Sequence, residues 1–332
     1  MKAMICESYG SPDVVQPREL PRPEPGRGEV LVKVMAAGIT TGDWRLRASA
    51  FPGGLWLPGR LMTGLFRPRK PVLGGDFSGV VEAVGEGVTR FRPGERVFGF
   101  SMFGAHAEYL TMSAEGSIAP IPGGLTFQEA ASLPFGTNCA IEFLRDVAAV
   151  QPGQKVLIVG ASGGVGGYAV QIAKWLGAHV TGVASGDNLD YLRDLGADAV
   201  VDYRVTDIAT LSERFDLIFD TVGAISFSTA KGLLAERGLF LPLNFGIGDV
   251  PRALLSGFGG GKRMKLHVNG DSRALAETVA DLVLAGDLRP LIDRVYPFDN
   301  IRDGYAHVEG RHRRGAVVLD IAGEEDSAAF AV

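Results

Sequence analysis

The N-terminal third of the chain carries short apolar runs that are interrupted by glycine and proline. The clearest runs are "EVLVKVMAAGI" (29–39), "FSGVVEAVG" (77–85), "ERVFGF" (95–100) and "AEYLTM" (107–112). Runs of this length that are bounded by Gly or Pro are typical of β-strands. The pattern therefore predicts a compact β domain in this part of the chain.

Residues 51–71, "FPGGLWLPGRLMTGLFRPRKP", follow neither the helical nor the strand period. We expect a long loop here, and loops of this length in a compact domain often cover a site. The apolar side chains of Phe51, Leu55, Trp56 and Phe66 suit a lid over an aromatic ligand and a packing or dimer contact equally well.

From residue 124 onward the pattern changes to helices and strands in alternation. Thr126 with Glu129 three residues later is a capping-box pattern, and helical spacing follows it. Between "KVLIVG" (155–160) and "LFLPLNFG" (239–246), apolar runs of strand length alternate with helical stretches. Such alternation indicates an α/β fold with a parallel, doubly wound sheet.

The C-terminal part ends with one more strand-like run, "RGAVVLDIA" (314–322), which can return to the first domain. Residues 323–332, "GEEDSAAFAV", are predicted to form a disordered tail.

The stretch "KVLIVGASGGVGGYAVQIAK" (155–174) joins an apolar run to a helix-forming segment through a glycine cluster. Gly160, Gly163 and Gly166 suit a dinucleotide-binding loop, in which glycine lets the backbone turn sharply and approach a pyrophosphate. The residues from Gly160 to Gly164 also spell G-x-S-x-G, which would make Ser162 the nucleophile of a hydrolase.

The context of the glycine cluster favours the phosphate site, because a strand precedes it and an uninterrupted helix follows it. A serine hydrolase also needs an acid and a histidine downstream, and Asp220 with His267 or His307 can be assigned to those roles. However, no oxyanion loop of the HGGG type precedes Ser162. The hydrolase therefore remains the alternative.

Composition narrows the classes of partner. The chain has 332 residues, of which 46% are hydrophobic, and this is enough for two domains. A net charge of -5 gives no reason to expect nucleic acid or an anionic membrane as a partner. Two cysteines, Cys6 and Cys139, cannot form a disulfide framework, and the N-terminus lacks a signal-peptide pattern. We therefore expect a cytoplasmic protein.

The end of the second strand of the alternating region, in "HVTGVASGDN" (179–188), bears on the choice of coenzyme. NAD sites usually place Asp or Glu there to bind the ribose 2′-hydroxyl, whereas this chain has Ala184 and Ser185. Ser185 can donate to a 2′-phosphate, and its alternative role is in an ordinary turn. Asp187 opposes a phosphate, and no Arg or Lys follows immediately. The pattern favours NADPH over NADH.

Six stretches together resemble the zinc-free quinone oxidoreductase branch of the medium-chain dehydrogenase/reductase superfamily. They are "GDWRLR" (42–47), "LGGDFSGVVEAVGEGVTRFRPGERVFG" (73–99), "GAHAEYL" (104–110), "EAASLPF" (129–135), "PGQKVLIVGASGGVG" (152–166) and "DLGADAVVDY" (194–203). The resemblance implies a GroES-like substrate domain (1–123, completed by 269–322), a Rossmann domain (124–268) and a homodimer.

The resemblance also implies which residues line the coenzyme. They are Thr137, Gly160, Ala161, Ser162, Gly163, Gly164, Val165, Gly166, Ser185, Tyr203, Val222, Asn244, Phe245 and Gly246. The chain departs from the family at Thr40 and Thr41, where Asn and Pro are common, and at Ala316, where Lys is common.

The sequence predicts no zinc site. A catalytic zinc needs three Cys, His or acidic ligands, and the corresponding stretch "LGGDFSG" (73–79) has neither Cys nor a His-Glu pair. His106 and Glu108 form H-x-E without the P-C-x-x-C half of a deaminase site, so His106 is predicted to be a surface or hydrogen-bonded histidine.

Without a metal, reduction of a quinone or an α,β-unsaturated carbonyl is easier than oxidation of an alcohol. Such an acceptor spreads the incoming charge, and hydrogen bonds to the developing oxyanion assist it. Thr40 is the predicted donor, and Asp43 is a second catalytic candidate whose alternative role is helix capping. Water can supply the final proton. A binding protein that holds NADPH without turnover is a further alternative.

Overall fold

The computed structural model of the protein describes residues 1–258 and 260–323, which divide into two compact units. Unit 1 contains Met1–Phe51, Trp56–Asn138 and the described residues from Asp271 onward. Unit 2 contains Pro52–Leu55 and Cys139–Gly270. Residues 124–138, which the sequence assigned to the second domain, thus lie in unit 1. Apart from Gly323, the predicted tail 323–332 lies outside the described residues.

The first part of the chain forms seven strands and two helices. The strands are β1 (Lys2–Cys6), β2 (Val15–Glu19), β3 (Glu29–Ile39), β4 (Asp76–Val84), β5 (Arg96–Phe100), β6 (Tyr109–Ser113) and β7 (Ile118–Pro120). The helices are α1 (Thr41–Ala48) and α2 (Trp56–Thr63).

The middle of the chain alternates between the two kinds of element. Its helices are α3 (Phe127–Ala131), α4 (Pro134–Ile141), α5 (Gly166–Trp175), α6 (Leu189–Asp194), α7 (Phe227–Leu233) and α8 (Asp249–Ser256). Its strands are β8 (Lys155–Val159), β9 (His179–Ala184), β10 (Ala199–Asp202), β11 (Phe215–Asp220), β12 (Leu234–Pro242) and β13 (Arg263–Met264). The last part contains α9 (Arg273–Ala285), β14 (Ile292–Pro297), α10 (Ile301–Glu309) and β15 (Ala316–Asp320).

Unit 1 is built on the long strand β3. The described strands of its larger sheet run in the order β14-β15-β3-β4-β5-β7, and β6 also pairs with β3. The core beneath β3 includes the fully buried side chains of Val30, Val32, Phe77 and Val97. The strand pattern of the sequence is confirmed here, and so is the return of the last strand, because β15 pairs antiparallel with β3.

Unit 2 contains the predicted parallel sheet. Its described strands follow the order β10-β9-β8-β11-β12-β13, and every pair is parallel. Numbered along the chain this is 3-2-1-4-5-6, the order of a Rossmann fold. The order reverses between β8 and β11, so their carboxyl ends mark the place where ligands of such sheets bind.

The helical prediction from Thr126 onward is correct at its start and interrupted later. The Thr126 hydroxyl accepts from Glu129 N, and the Glu129 carboxylate accepts from Thr126 N, which completes the capping box. α3 ends at Ala131, shortly before Pro134. Proline disfavours the helical backbone conformation at the residue that precedes it, which here is Leu133. After α4 the backbone winds as a π-helix over Glu142–Val147.

The prediction of a continuous loop over residues 51–71 is wrong. Trp56–Thr63 form α2, and the Arg60 guanidinium lies 3.8 Å from the centre of the Tyr9 ring. Tyr9 also donates to Gly64 O at 2.7 Å, which fixes the end of the helix. These contacts join residues more than 50 positions apart, so local periodicity does not reveal them. In the described residues, no helix is both long and apolar enough to cross a membrane.

Candidate functional site

The loop between β8 and α5 requires glycine at two positions for its own packing. Gly160 has φ +78°, and a Cβ there would lie 2.7 Å from Thr221 Oγ1 and 2.6 Å from Val222 Cγ1. A Cβ on Gly166 would lie 2.1 Å from Gly160 O. A Cβ on Gly163 would meet only Gly160 O at 3.4 Å, an ordinary contact. The protein therefore leaves the space beside Gly163 open.

Backbone N–H groups at this loop are available to an anion. Ala161 N donates to Val183 O at 3.0 Å, but within the described part of the chain the N–H groups of Ser162, Gly164 and Val165 donate to no protein acceptor. Among the described residues, no side-chain hydrogen bond caps the N-terminus of α5. Uncapped N–H groups and the helix dipole together attract negative charge. The residues present thus fit a phosphate or pyrophosphate group.

The carboxyl end of β11 is organised by a carboxylate that bonds to backbone. Asp220 is fully buried, and its Oδ1 accepts from Val222 N at 3.1 Å and Gly223 N at 2.8 Å. Its Oδ2 accepts from Ile225 N at 3.0 Å. Both oxygens therefore shape the turn after β11, which carries the predicted coenzyme residue Val222.

The predicted turn at residues 244–246 lies beside this strand end. Asn244 Nδ2 donates to Thr221 O at 3.1 Å. Ile247 N donates to Gly53 O at 2.8 Å, and a Cβ on Gly53 would lie 2.3 Å from Gly246 Cα. Two glycine backbones are thus in contact, and Pro52–Leu55 packs on this turn as part of unit 2.

At the end of β9, one asparagine links two of the predicted site residues. Asn188 Nδ2 donates to Ser185 Oγ at 2.9 Å and to Ser162 Oγ at 3.4 Å. Ser185 is largely buried, with 9% of its surface exposed. The glycine loop and the end of the second strand are therefore joined through side chains.

A cation lies next to this strand end. Arg204 Nη1 is 3.1 Å from Asp187 Oδ2, and both side chains are exposed. Hydrogen bonding by Tyr203, and then by Asp187, raises the pKa of Arg204. The sequence places Arg204 after the third strand, and the fold brings it to the residue two positions past Ser185.

The other predicted coenzyme residues differ in accessibility. Tyr203 and Val222 are exposed at 49% and 40%, whereas Phe245 is half-buried. Thr137 is fully buried in unit 1, and its hydroxyl donates at 2.8 Å to the carbonyl oxygen of Leu133, the residue before α4. Its contact with a coenzyme stays a prediction.

The two catalytic candidates cap the helix that follows β3. The Thr40 hydroxyl donates to Asp43 Oδ2 at 2.7 Å and accepts from Asp43 N at 3.1 Å. Asp43 Oδ2 also accepts from Thr40 N, and Oδ1 accepts from Gly74 N at 3.2 Å. Asp43 is 3% exposed, so its capping role is realised in the structure.

Two further ionisable groups are buried near these residues in unit 1. Burial, and then the Asp43 charge, raises the pKa of Asp76 well above its usual value, and Asp76 Oδ1 accepts from Phe135 N at 2.9 Å. Burial lowers the pKa of His106, whose Nε2 donates to Gly38 O at 3.0 Å. His106 is 1% exposed, so it is hydrogen-bonded as predicted but is not on the surface.

Within the ranges 1–258 and 260–323, no three His, Cys, Asp or Glu side chains are grouped so that they could hold an ion. Cys6 and Cys139 are both buried, free thiols.

The residues assigned to a serine hydrolase have other partners. Ser162 Oγ is contacted by the amide of Asn188, and Asp220 is engaged with backbone N–H groups. His267 lies 3.7 Å from Glu142 Oε2, and His307 bonds to Asp293 at 2.6 Å in unit 1. These contacts do not form a Ser-His-Asp relay.

Sequence reasoning missed Asn188 and Arg204 and misjudged Asp220. Asn188 stands three residues after Ser185, a spacing that allows the observed hydrogen bond within one turn. Arg204 follows the quoted stretch "DLGADAVVDY" directly, so the adjacent ends of parallel strands could have suggested it.

Two family models match the chain. One is described as "Alcohol dehydrogenase GroES-like domain" and matches residues 26–123. The other is described as "Zinc-binding dehydrogenase" and matches residues 195–319.

Named relatives extend the likeness over most of the chain. "NAD(P)H oxidoreductase RTN4IP1, mitochondrial" of Homo sapiens is 31% identical, over 88% of this chain and 82% of its own length. "NADPH-dependent alkenal/one oxidoreductase, chloroplastic" of Arabidopsis thaliana is 29% identical, over 96% and 79%. The solved quinone oxidoreductase of Coxiella burnetii superposes with a TM-score of 0.85 at 28% identity, over 97% of this chain and 99% of its own.

The matches cover both units, and the sheet order and the glycine loop that leads into a helix are those expected from the sequence. The chain therefore belongs to the medium-chain dehydrogenase/reductase superfamily and is an oxidoreductase of its quinone oxidoreductase-like type.

Proposed function

We propose that the protein uses NADPH to reduce quinones or α,β-unsaturated carbonyl compounds without zinc. The observation that carries the proposal is the glycine loop, whose N–H groups at Ser162, Gly164 and Val165 have no acceptor in the described protein. A bound nicotinamide coenzyme supplies the hydride in such a reaction. The chain's own residues bind the phosphates, orient the coenzyme and receive the acceptor.

The preference for NADPH is argued from the end of β9. Ser185 offers a hydroxyl where a carboxylate would repel a 2′-phosphate, and Arg204 offers a guanidinium nearby. Asp187 is the opposing charge, and its contact with Arg204 offsets part of that repulsion. Arginine binds phosphate through charge-assisted hydrogen bonds, so Arg204 can exchange Asp187 for the ligand.

Replacement of Arg204 tests this preference. We expect Arg204→Gln to weaken NADPH binding roughly tenfold, about 1.4 kcal/mol, and to leave NADH binding nearly unchanged. Coenzyme dissociation constants from fluorescence titration measure both. Arg193→Gln is the matched control, because Arg193 is also exposed and pairs with Asp190 on α6. Equal losses for both coenzymes would contradict the role of Arg204.

The proposed reaction uses no Lewis acid, so the acceptor itself has to spread the incoming charge. Quinones and α,β-unsaturated carbonyl compounds do this. Hydride addition leaves negative charge on an acceptor oxygen, and a hydrogen-bond donor lowers that barrier. We keep Thr40 as the proposed donor. Its hydroxyl hydrogen now faces Asp43, so it has to leave that carboxylate to serve the acceptor. Water supplies the final proton.

The decisive experiment measures oxidation of NADPH and NADH against a panel of quinones and enones, with and without a chelator. We expect turnover with NADPH that survives chelation, whereas loss on chelation would overturn the zinc-free mechanism. Tight NADPH binding without turnover would favour a non-catalytic binding protein. Labelling of Ser162 by a fluorophosphonate would favour the hydrolase.

We also propose that the protein forms a homodimer and is located in the cytoplasm. Several relatives are named as mitochondrial or chloroplastic proteins, so the compartment has to be tested in the cells that make this protein. Light scattering of the purified protein measures the mass of the assembly.

A further inference from the structure

Three guanidinium groups gather around α1, the helix that Thr40 caps. Arg313 Nη2 donates to Thr41 Oγ1 at 2.9 Å, so its charge lies one residue from the proposed oxyanion donor. Arg45 follows Thr41 by four positions on α1, which places the two on the same side of the helix. Arg311 lies with its guanidinium 5.2 Å from the centre of the Trp44 ring.

The nearby carboxylates do not neutralise Arg313. Asp293 and Asp43 act on its charge only at longer range. Asp293 Oδ2 accepts a hydrogen bond from His307 Nε2 at 2.6 Å, and Asp293 Oδ1 accepts one from Arg314 N at 3.0 Å.

Asp43 is likewise engaged on both oxygens, by the backbone and hydroxyl of Thr40 and by Gly74 N. The carboxylates near Arg313 therefore serve other donors.

Polar atoms of the cluster lack partners although they are buried. Arg313 Nη1 and Arg45 Nε are inaccessible to solvent and bond to no acceptor among the described residues. Burial lowers the pKa of Arg313 to about 10, and burial together with the Arg311 charge lowers the pKa of Arg45. A pKa of about 10 keeps Arg313 cationic at neutral pH, and a buried donor of a cation that lacks an acceptor is unfavourable unless a ligand offsets it.

Other atoms of the same side chains reach the surface. Arg45 and Arg313 are each partly exposed, and Arg311 is exposed. Arg311 adopts a left-handed backbone with φ +55°, a conformation that a non-glycine side chain rarely keeps without local support. Like charges brought together in this way are typical of sites that bind an anion.

We propose that Arg313, with Arg45 and Arg311, binds an acidic group of the acceptor, so that the preferred substrates are enones or quinones bearing a carboxylate or a phosphate. This proposal rests on the reductase function proposed above. Arginine suits both groups because its planar fork matches two of their oxygens. The acidic group would lie beside Thr41, and the reducible carbonyl would then lie toward Thr40.

The test compares a negatively charged acceptor with its uncharged methyl ester. β-Acetylacrylate and its methyl ester are assayed with NADPH on the wild type, on Arg313→Gln and on Arg313→Lys. Arg92→Gln, which removes an exposed arginine elsewhere in unit 1, is the matched control. Thermal unfolding of every variant verifies that it is folded.

We expect Arg313→Gln to lower kcat/KM for the acid roughly tenfold to a hundredfold and for the ester less than about twofold. Arg313→Lys should recover part of the loss, and Arg92→Gln should change neither substrate. Equal losses for acid and ester, or no loss for the acid, would overturn the anion site while leaving the reductase intact.

A binding experiment separates this proposal from the reductase function. Calorimetry measures levulinate, phenyl phosphate and the neutral methyl levulinate on wild type and Arg313→Gln. Binding of either anion that is tighter than that of the ester, and that Arg313→Gln abolishes, supports the site even if no acceptor is turned over. Comparison of the levulinate and phenyl phosphate affinities shows whether the site prefers a carboxylate or a phosphate. Anion binding that is the same in both proteins overturns the site.

Discussion

At the residue scale, the glycines of the β8–α5 loop have different physical reasons for being glycine. Gly160 needs a positive φ, Gly166 lies against Gly160 O, and Gly163 meets no such restriction from the protein. The spacing alone predicted all three together. Only the structure separates the glycines that the fold requires from Gly163, for which we propose that a ligand is the reason.

Replacing Gly166 and Gly163 by alanine should have different effects. Gly166→Ala puts a Cβ 2.1 Å from Gly160 O, so we expect it to lower the free energy of unfolding by about 1–3 kcal/mol. Gly163→Ala meets ordinary contacts, so stability should hold while NADPH affinity falls roughly tenfold, about 1.4 kcal/mol. Urea unfolding and fluorescence titration measure the two quantities. Unchanged NADPH affinity in Gly163→Ala would argue against a pyrophosphate at this loop.

Individual polar residues are where sequence reasoning was weakest. Asp220 was a candidate hydrolase acid, yet its oxygens accept from three backbone N–H groups of its own turn. Arg204 and Arg313 went unnoticed because their partners, Asp187 and Thr41, lie 17 and 272 positions away. Contacts made across a fold leave no periodic signal in a sequence.

At the element scale, strands and helices followed the sequence where a local rule determines them. The run "EVLVKVMAAGI" became β3 without a change of boundary, and Thr126 caps its helix as the pattern indicates. Helix α2 was missed because its eight residues include Pro58 and Gly59, which oppose helix locally. Its contacts with Tyr9 come from tertiary structure.

The two capping boxes provide a matched pair of variants. Thr126→Ala and Thr40→Ala each remove a capping hydroxyl, so each should lower the free energy of unfolding by about 0.5–2 kcal/mol. Only Thr40→Ala should also lower kcat, by roughly a hundredfold, because it removes the proposed donor. Chemical denaturation and steady-state kinetics give both values.

The serine variants complete the comparison of the two caps. Thr40→Ser and Thr126→Ser keep the hydroxyl, so each should recover most of its lost stability, and Thr40→Ser should recover kcat. If Thr40→Ala loses stability but keeps its kcat, Thr40 only caps α1.

At the scale of the whole molecule, the sequence predicted the fold class because two periodicities divide the chain. Alternation of strands with helices predicted the Rossmann sheet of unit 2, and strands interrupted by glycine predicted the β-rich unit 1. The boundaries at 123 and 269 were less accurate, since 124–138 and Pro52–Leu55 are assigned by packing that no motif describes.

The buried Asp76 should make the stability of the protein depend on pH. Its pKa is raised in the folded state, chiefly by burial, above the unfolded value of about 3.9. The folded protein therefore holds a proton that the unfolded chain has lost, so this contribution falls as the pH rises between the two pKa values. Asp76→Asn cannot lose a proton there, and its Oδ1 can still accept from Phe135 N.

We expect Asp76→Asn to gain stability relative to the wild type as the pH is raised from 5 to 8. This range is about three pH units wide and lies above the unfolded pKa of Asp76. Urea midpoints of both proteins at each pH measure this difference. A constant difference between the two proteins across that window would show that Asp76 does not bind a proton on folding.

The contact between Gly53 and Gly246 means that unit 2 is not contained in one continuous stretch of sequence. A gene fragment encoding residues 139–270 would omit Pro52–Leu55, and Ile247 N would lose its acceptor at Gly53 O. Excision, domain grafting or fusion at those boundaries would leave the turn at residues 244–246 without its support. Any transplanted module needs the tetrapeptide supplied as well.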